Sequence, residues 1–200
     1  MTEITIPCET ITRMTKILKY LPDYADEWVN TIRLDGDCMM VTNRAFMAVE
    51  RISASVPTPV HIIAHPELLE KCEAEAQFSG QLYLIINEIL GIITAKTTFG
   101  YTCPDNLLMN SLEPNELDRW RDIIPNEVAT SSKGGMMLDL RYFTMLAESA
   151  PSKQIIFEEH IDITRPTIIR DMVDPEWFGV FNPKDLHRIH DPAKLPEWFK

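Results

Sequence analysis

Glycine and cysteine are scarce in this sequence, and each shortage argues against a class of function. Only seven of the 200 residues are glycine, no glycine-rich phosphate loop is present, and neither G-x-S-x-G nor H-E-x-x-H occurs. The four cysteines show no C-x-x-C spacing, which favours free, buried thiols in a reducing compartment over disulfides or a metal. We therefore expect neither an enzyme nor a cofactor.

Long apolar runs are also missing, as is a secretory signal at the first residues, MTEITIPCET. These absences predict a soluble, cytoplasmic protein that does not bind a membrane. The chain has 30 Asp and Glu against 19 Lys and Arg, a formal net charge of -11. This balance argues against extensive coating of nucleic acid, although a local basic face would still permit contact with DNA.

What the sequence does contain is an order of one strand, one helix and three strands that recurs about every 50 residues. In the first copy, EITIP is a strand, and the apolar spacing from Ile11 to Leu18 predicts a helix. WVNTIRL, DCMMVT and RAFMAVERI predict three strands, with Asp35-Gly36 as a hairpin turn between the first two.

The second copy begins after the break SVPTP, and a proline-containing linker separates it from a third copy that starts near MMLDL. A βαβββ unit covers only part of its apolar surface alone, so neighbouring units should pack together. We expect an α+β fold with helices on one face of antiparallel sheets. The predicted divisions are a complete domain at 1–104, a connector at 105–133, a half domain at 134–184 and a tail at 185–200.

Three segments resemble the bacterial DNA polymerase III beta sliding clamp family. MMVTNRAFMAVERI is similar to the family strand ATDGHRLAV, LDRWRDIIP to the connector FPDYRRVLP, and FGVFNPK to the final strand YVVMPMR. The family's Gly-His-Arg is Arg44-Ala45-Phe46 here, its Met-Pro-Met is Asn182-Pro183-Lys184, and one and a half domains have no counterpart. The resemblance implies that this chain has the DNA-clamp fold and is a shortened, diverged relative of the family. A phage origin would be consistent with such shortening.

In that family the three segments meet at an apolar groove that accepts short peptide motifs from polymerases and other proteins. The matching positions are Thr42, Met47, Ile123, Val180 and Pro183. Aliphatic and methionine side chains suit such a groove. The alternative is that these residues form ordinary core between domains.

The resemblance also implies that basic side chains on the helices meet DNA phosphates without reading the base sequence. The candidates are Arg13, Lys16 and Lys19 on the first helix and Arg141 on the third. The second helix is acidic and does not fit this role. For the first helix, the alternative is a basic face that is simply exposed to solvent.

The tail motif consists of Leu195, Trp198 and Phe199, an aliphatic residue followed by paired aromatic residues, and it resembles the motifs that clamps bind. It would occupy the groove of its own or a neighbouring chain, or it would pack on the nearest apolar surface. His187 and His190 lack a third histidine or cysteine partner, so no metal site is expected.

The function expected from these features is that of a non-enzymatic processivity factor. It would encircle or contact duplex DNA and bind DNA polymerase or other clamp-binding proteins. An odd number of units predicts a homo-oligomer, either a dimer or a tetramer. The alternative is a clamp-like regulator or inhibitor that binds a host replication or defence protein without encircling DNA, which the acidic balance would favour.

Overall fold

The structure, a computed structural model, describes residues 1–20, 31–43, 46–87, 92–103, 120–124, 140–157 and 166–181. The strands are β1 (Thr2–Pro7), β2 (Thr31–Thr42), β3 (Phe46–Ile63), β4 (Gln81–Asn87), β5 (Ile92–Thr97), β6 (Thr102–Cys103), β7 (Ile155–Phe157), β8 (Thr167–Asp171) and β9 (Trp177–Phe181). The helices are α1 (Cys8–Met14), α2 (Pro66–Ala76), α3 (Trp120–Ile123) and α4 (Leu140–Ser149), and a 3₁₀ helix (Thr15–Tyr20) follows α1. No helix in these ranges is long and apolar enough to cross a membrane.

The described strands form two antiparallel sheets, one in the order β1-β4-β5-β6 and one in the order β2-β3-β9-β8-β7. Strand β9 lies beside β3, with pairs running from Phe46↔Phe181 to Glu50↔Trp177. The predicted third unit is therefore joined to the first through a continuous sheet. Helices packed against antiparallel sheets confirm the predicted α+β class.

The helices cover one side of this framework and close the main core. Helix α1 packs against α2, and α4 packs against the 3₁₀ helix. The apolar spacing of the first helix predicted one buried side, and this is confirmed because Ile11, Met14 and Ile17 are fully buried. Helix α2 begins at Pro66, a residue suited to a first turn, and the Glu67 amide donates to His65 Nδ1 at 3.3 Å. Helix α1 also contacts β1, and α2 contacts β4 and β5, so both helices pack on the four-stranded sheet.

The prediction of a hairpin at Asp35-Gly36 is wrong. Strand β2 runs through both residues, and Gly36 pairs with Val56 at a point where the register shifts. Gly36 has φ +61, a conformation that glycine adopts without steric cost and that suits a bulge as well as a turn. Local sequence could not distinguish these two uses of the same backbone conformation.

The predicted break at SVPTP is also wrong, because β3 continues through it. Pro57 and Pro59 fall between the paired residues Val56 and Val60, in the region of the register shift. Proline has no backbone N–H to donate to a neighbouring strand, and neither Pro57 nor Pro59 is among the residues of β3 that pair with β2. Two long strands therefore follow the first helix in the described residues, where three were predicted.

Candidate partner-binding surface

Side chains alternate across β2, β3 and β9, so this part of the sheet is apolar on both faces. One face belongs to the main core beneath the helices and includes Met39, Ala48 and Trp177. The opposite face carries a smaller group, which we call the outer cluster, formed by Met40, Met47, Val49, Trp120 and Val180. The outer cluster joins the first unit, the third unit and the connector.

Three of the predicted groove residues are neighbours in this sheet. Thr42 pairs with Met47 across β2 and β3, and Met47 pairs with Val180 across β3 and β9. The Thr42 hydroxyl donates to the Phe46 carbonyl at 2.7 Å, so it fixes the end of the β2–β3 hairpin. Ile123 lies in α3, but its side chain is outside the described structure, and Pro183 is outside the described residues.

Helix α3 is held on the sheet by Asp35. Trp120 Nε1 donates to Asp35 Oδ2 at 2.8 Å, and the Arg121 guanidinium binds the same oxygen at 2.5 Å. That guanidinium also lies 4.3 Å from the centre of the Trp120 ring. Partial burial alone would raise the pKa of Asp35, but the hydrogen bonds from Trp120 and Arg121 outweigh it and lower that pKa. One carboxylate thus fixes the position of the indole.

Behind Asp35 lies a second, more deeply buried contact. Arg33 is 2% exposed, approaches Asp35 Oδ2 at 3.6 Å and places NH1 2.5 Å from His61 Nε2. A guanidinium can only donate, so His61 Nε2 is the acceptor in this hydrogen bond. This contact supports the position of Asp35 from the interior of the protein.

The outer cluster is closed rather than open. Its five members are each 5% exposed or less, and only the surrounding Cys38, Ile124 and Phe178 are half-buried. Among the described residues, Trp120 and Ile124 are the members that pack on it from outside the sheet. A peptide could reach Met47 and Val180 only if part of this cover moved.

Sequence reasoning missed Met40, Val49 and Trp120 as parts of the cluster. The signal was available for the first two, because Met40 is two residues from Thr42 and Val49 is two residues from Met47. The similarity of LDRWRDIIP to FPDYRRVLP aligns Trp120 with the tyrosine of the connector, but nothing local shows that its indole reaches Asp35, 85 positions earlier in the chain.

Arg13, expected to face DNA, is instead engaged within the protein. Its guanidinium lies 2.7 Å from Glu50 Oε2 and donates to the Ser149 carbonyl at 2.7 Å. Burial raises the pKa of Glu50, and the nearby Arg13 only partly offsets this. Arg13 therefore connects α1, β3 and α4, and it has little capacity left for a phosphate.

Of the other basic candidates, the structure describes only the side chain of Lys16. Lys16 is half-buried on the 3₁₀ helix, and the side chains of Lys19 and Arg141 are outside the described structure. Glu67, Glu70 and Glu73 are exposed on α2, as its acidic sequence predicts. Glu75 differs, since it is buried and accepts from the Thr97 hydroxyl and the Phe99 amide.

The remaining predicted features divide between the described and undescribed parts of the chain. All four cysteines are free, and Cys8, Cys72 and Cys103 are buried whereas Cys38 is half-buried. No group of three possible metal ligands lies within the described ranges. His187, His190 and the tail motif (Leu195, Trp198 and Phe199) lie outside the described residues.

The fold matches solved structures although the sequence matches no known family. No protein-family model matches the chain, and no curated protein matches it. The DNA polymerase III beta subunit of Pseudomonas aeruginosa matches with a TM-score of 0.63 and 11% identity, covering 91% of this chain and 66% of that one. The Bartonella birtlesii sliding clamp bound to griselimycin matches with a TM-score of 0.61 and 12% identity, covering 90% of this chain and 65% of that one.

The Thermotoga maritima beta subunit also matches, with a TM-score of 0.60 and 10% identity, covering 90% of this chain and 64% of that one. The matched part thus spans slightly less than two thirds of these clamp chains. Three short sequence segments had indicated the same fold. The chain has the fold of the DNA polymerase III beta sliding clamps, at a sequence identity of 10–12% to the three structures compared.

Proposed function

We propose that this protein is a sliding-clamp-like processivity factor that binds partner proteins at the outer cluster. The observation that carries the proposal is the adjacency of Thr42, Met47 and Val180 across three strands. These residues were selected from two separate segments of the resemblance. Their adjacency, with the connector residue Trp120 against them, supports a role for this face in partner binding.

The outer cluster has the chemistry to hold an apolar anchor. Methionine side chains adapt their shape to different occupants, and Trp120 offers a large aromatic surface. Because the cluster is closed, binding requires displacement of a cover or entry beside Cys38, Ile124 and Phe178. A ligand would therefore compete with the side chains that already cover the outer cluster.

Griselimycin is a suitable probe, since it is bound to the sliding clamps of P. aeruginosa and B. birtlesii. Met39 and Met40 offer a matched pair of variants, because they are consecutive, both at most 1% exposed, and on opposite faces of β2. Each change to alanine should cost about 2–5 kcal/mol of stability. Only Met40→Ala should also weaken griselimycin binding, measured by calorimetry at a temperature where both variants are folded.

Equal weakening in Met39→Ala and Met40→Ala would contradict binding at the outer cluster, as would no binding to the unaltered chain. A second, structurally independent ligand strengthens the measurement. We would use a synthetic peptide with a leucine followed by two adjacent aromatic residues, the pattern noted in the tail. It should compete with griselimycin.

We further propose that the chain contacts duplex DNA as a ring or partial ring in the cytoplasm. Arg13, Lys16, Lys19 and Arg141 are the proposed basic contacts, and of these Arg13 is also paired with Glu50 within the protein. A topological link differs from electrostatic binding in its response to salt, because it does not depend on phosphate neutralisation. Retention on nicked circular DNA at high salt, lost when the circle is linearised, is the expected result. Equal retention on linear DNA, or none on either, would contradict encirclement.

A further inference from the structure

A small pocket lies between the first two helices. Its volume is about 230 Å³, and it opens to solvent beside the exposed side chains of α2. Small-molecule sites usually measure roughly 300–1,000 Å³, so this pocket suits one side chain of a partner better than a whole small ligand. Its lining comes from α1, the 3₁₀ helix, the end of β3 and α2, namely Thr12, Thr15, Leu18, Ala64, Pro66, Leu69 and Glu73.

The walls of the pocket are mainly apolar. Leu18 and Ala64 are buried, and Leu69 is half-buried. The Thr15 hydroxyl donates to the Ile11 carbonyl at 2.7 Å, so it is engaged within its own helix. The Thr12 hydroxyl is itself buried. An aliphatic or aromatic side chain is therefore the occupant that these walls favour.

The charges around the mouth of the pocket are mostly acidic. Glu73 lines the pocket, and Glu70, three residues earlier, lies on a neighbouring part of the same helix face. Both are exposed, and within the described ranges no ion pair engages either of them. On α1, Glu9 is exposed and Lys16 is half-buried, and neither lines the pocket. Three carboxylates thus surround it against one nearby ammonium group.

We propose that this pocket binds one apolar anchor of a partner protein, in a segment where Lys or Arg flanks the anchor. Flanking cations are attracted to Glu70 and Glu73, whereas a DNA phosphate would be repelled by them. The apolar anchor fills the pocket, as interface anchors commonly do. The inference goes beyond the proposed function, because the pocket and the outer cluster share no residue.

The test uses the full chain labelled with ¹⁵N and a blocked peptide of sequence G-S-K-L-K-S-G. One anchor and two cations should give a Kd on the order of 1 mM, a range that NMR titration measures. The amide signals of Leu18, Ala64 and Leu69 should shift. Replacing the leucine of the peptide by serine should weaken binding about tenfold, since a buried leucine is lost. Replacing both lysines by glutamate should weaken it at least about fivefold.

Two exposed glutamates of α2 give a matched pair of variants. Glu73→Gln should weaken peptide binding about fivefold, because Glu73 lines the pocket. Glu67→Gln makes the same change of charge on the same helix, but Glu67 does not line the pocket, so binding should stay unchanged. Leu69→Phe should fill the pocket and abolish the shifts at Leu18 and Ala64. Both glutamates are exposed, so their variants carry the test even if Leu69→Phe fails to fold.

Several outcomes would overturn the inference. Equal effects of Glu73→Gln and Glu67→Gln would show general attraction to an acidic protein, and equal binding of the leucine and serine peptides would remove the anchor. A short DNA duplex that shifts the same amides when the peptide does not would assign this helix pair to DNA. Met40→Ala should leave peptide binding unchanged, and a loss would move the site to the outer cluster. Failure of griselimycin binding, by contrast, affects the proposed function alone.

Discussion

Arg13 and Asp35 show how single charged residues hold this structure together. Arg13 links three elements through Glu50 and the Ser149 carbonyl, and Asp35 fixes α3 through Trp120 and Arg121. Both carboxylates are partly or largely buried, but their pKa values shift in opposite directions. Desolvation dominates at Glu50, whereas donated hydrogen bonds dominate at Asp35.

Replacing Arg13 should destabilise the protein strongly. Arg13→Met leaves the Glu50 carboxylate buried without its cation, and we expect a loss of about 3 kcal/mol in the free energy of unfolding. The raised pKa of Glu50 means that its contribution is present at low pH and is lost as pH rises through the folded-state pKa. The penalty should therefore be smaller in acid than at neutral pH, measured by urea unfolding.

The double variant Arg13→Met with Glu50→Gln provides the control. It removes both charges and should recover much of the lost stability at neutral pH. If the double variant were as unstable as Arg13→Met alone, the uncompensated charge on Glu50 would not be the cause.

Asp35→Asn should weaken the attachment of α3 by about 1 kcal/mol, because the charge-assisted hydrogen bonds lose strength. The pKa of Asp35 is lowered, so its contribution is present above the ordinary value of about 3.9 and is lost as pH falls through the folded-state pKa. The stability difference between the unaltered chain and Asp35→Asn should close in acid. Urea unfolding at a series of pH values would measure it.

Asp37→Asn is the matched control for Asp35→Asn. Asp37 also has a lowered pKa, first because Arg51 donates a hydrogen bond to it, but the pair is exposed to solvent. Exposed ion pairs contribute little to stability. An equal effect of the two substitutions would show that the contact with Trp120 has no particular importance.

At the scale of the element, β2 and β3 form a long, irregular hairpin. The register shifts on both sides of Gly36, and Pro57 and Pro59 lie in the corresponding part of β3. These irregularities separate two regular ladders, Thr31–Leu34 with Val60–Ile63 and Cys38–Thr42 with Met47–Arg51. The second ladder contains Met40, Met47 and Val49 of the outer cluster. Because a bulge changes which face of the sheet the following side chains point to, the irregularity at Gly36 sets the direction of Met40 relative to residues 31–34.

Gly36→Ala should therefore cost about 1 kcal/mol of stability, because alanine is strained at φ +61. No atom lies within 4 Å of an added Cβ, so the cost is confined to the backbone. Gly36→Asn should cost less, since asparagine tolerates the left-handed conformation better. Thermal unfolding of the two variants measures the difference, and equal losses would contradict a conformational origin.

At the scale of the whole molecule, the chain matches slightly less than two thirds of the clamps to which it is similar. A ring built from such a chain would need more than one copy. We therefore expect a dimer or tetramer of the 23.0 kDa chain at micromolar concentration, measured by light scattering after gel filtration. A monomer would contradict the ring and would restrict the proposed function to a partial contact with DNA.

Much of the element order could be predicted from sequence. The buried spacing of Ile11, Met14 and Ile17 and the first turn at Pro66 depend on local periodicity and backbone geometry, and both are confirmed. The strands at Asp35-Gly36 and SVPTP were divided wrongly, because glycine and proline serve bulges as well as turns. The domain divisions at 1–104, 105–133, 134–184 and 185–200 stay predictions.

By itself, the sequence determined the α+β class and the likeness to the clamp fold. Both depend on apolar periodicity and short motifs, which are set by consecutive residues, and on the order of these segments along the chain. The family resemblance also predicted that Met47 and Val180 lie near each other, and the structure pairs them across β3 and β9. Only the tertiary structure decided that Arg13 is an internal ion-pair partner, that Asp35 fixes Trp120, and that the outer cluster is closed. Each of these depends on contacts between residues that are far apart in the chain. In the outer cluster, for example, the pairing of β3 with β9 places Val180 beside Met47.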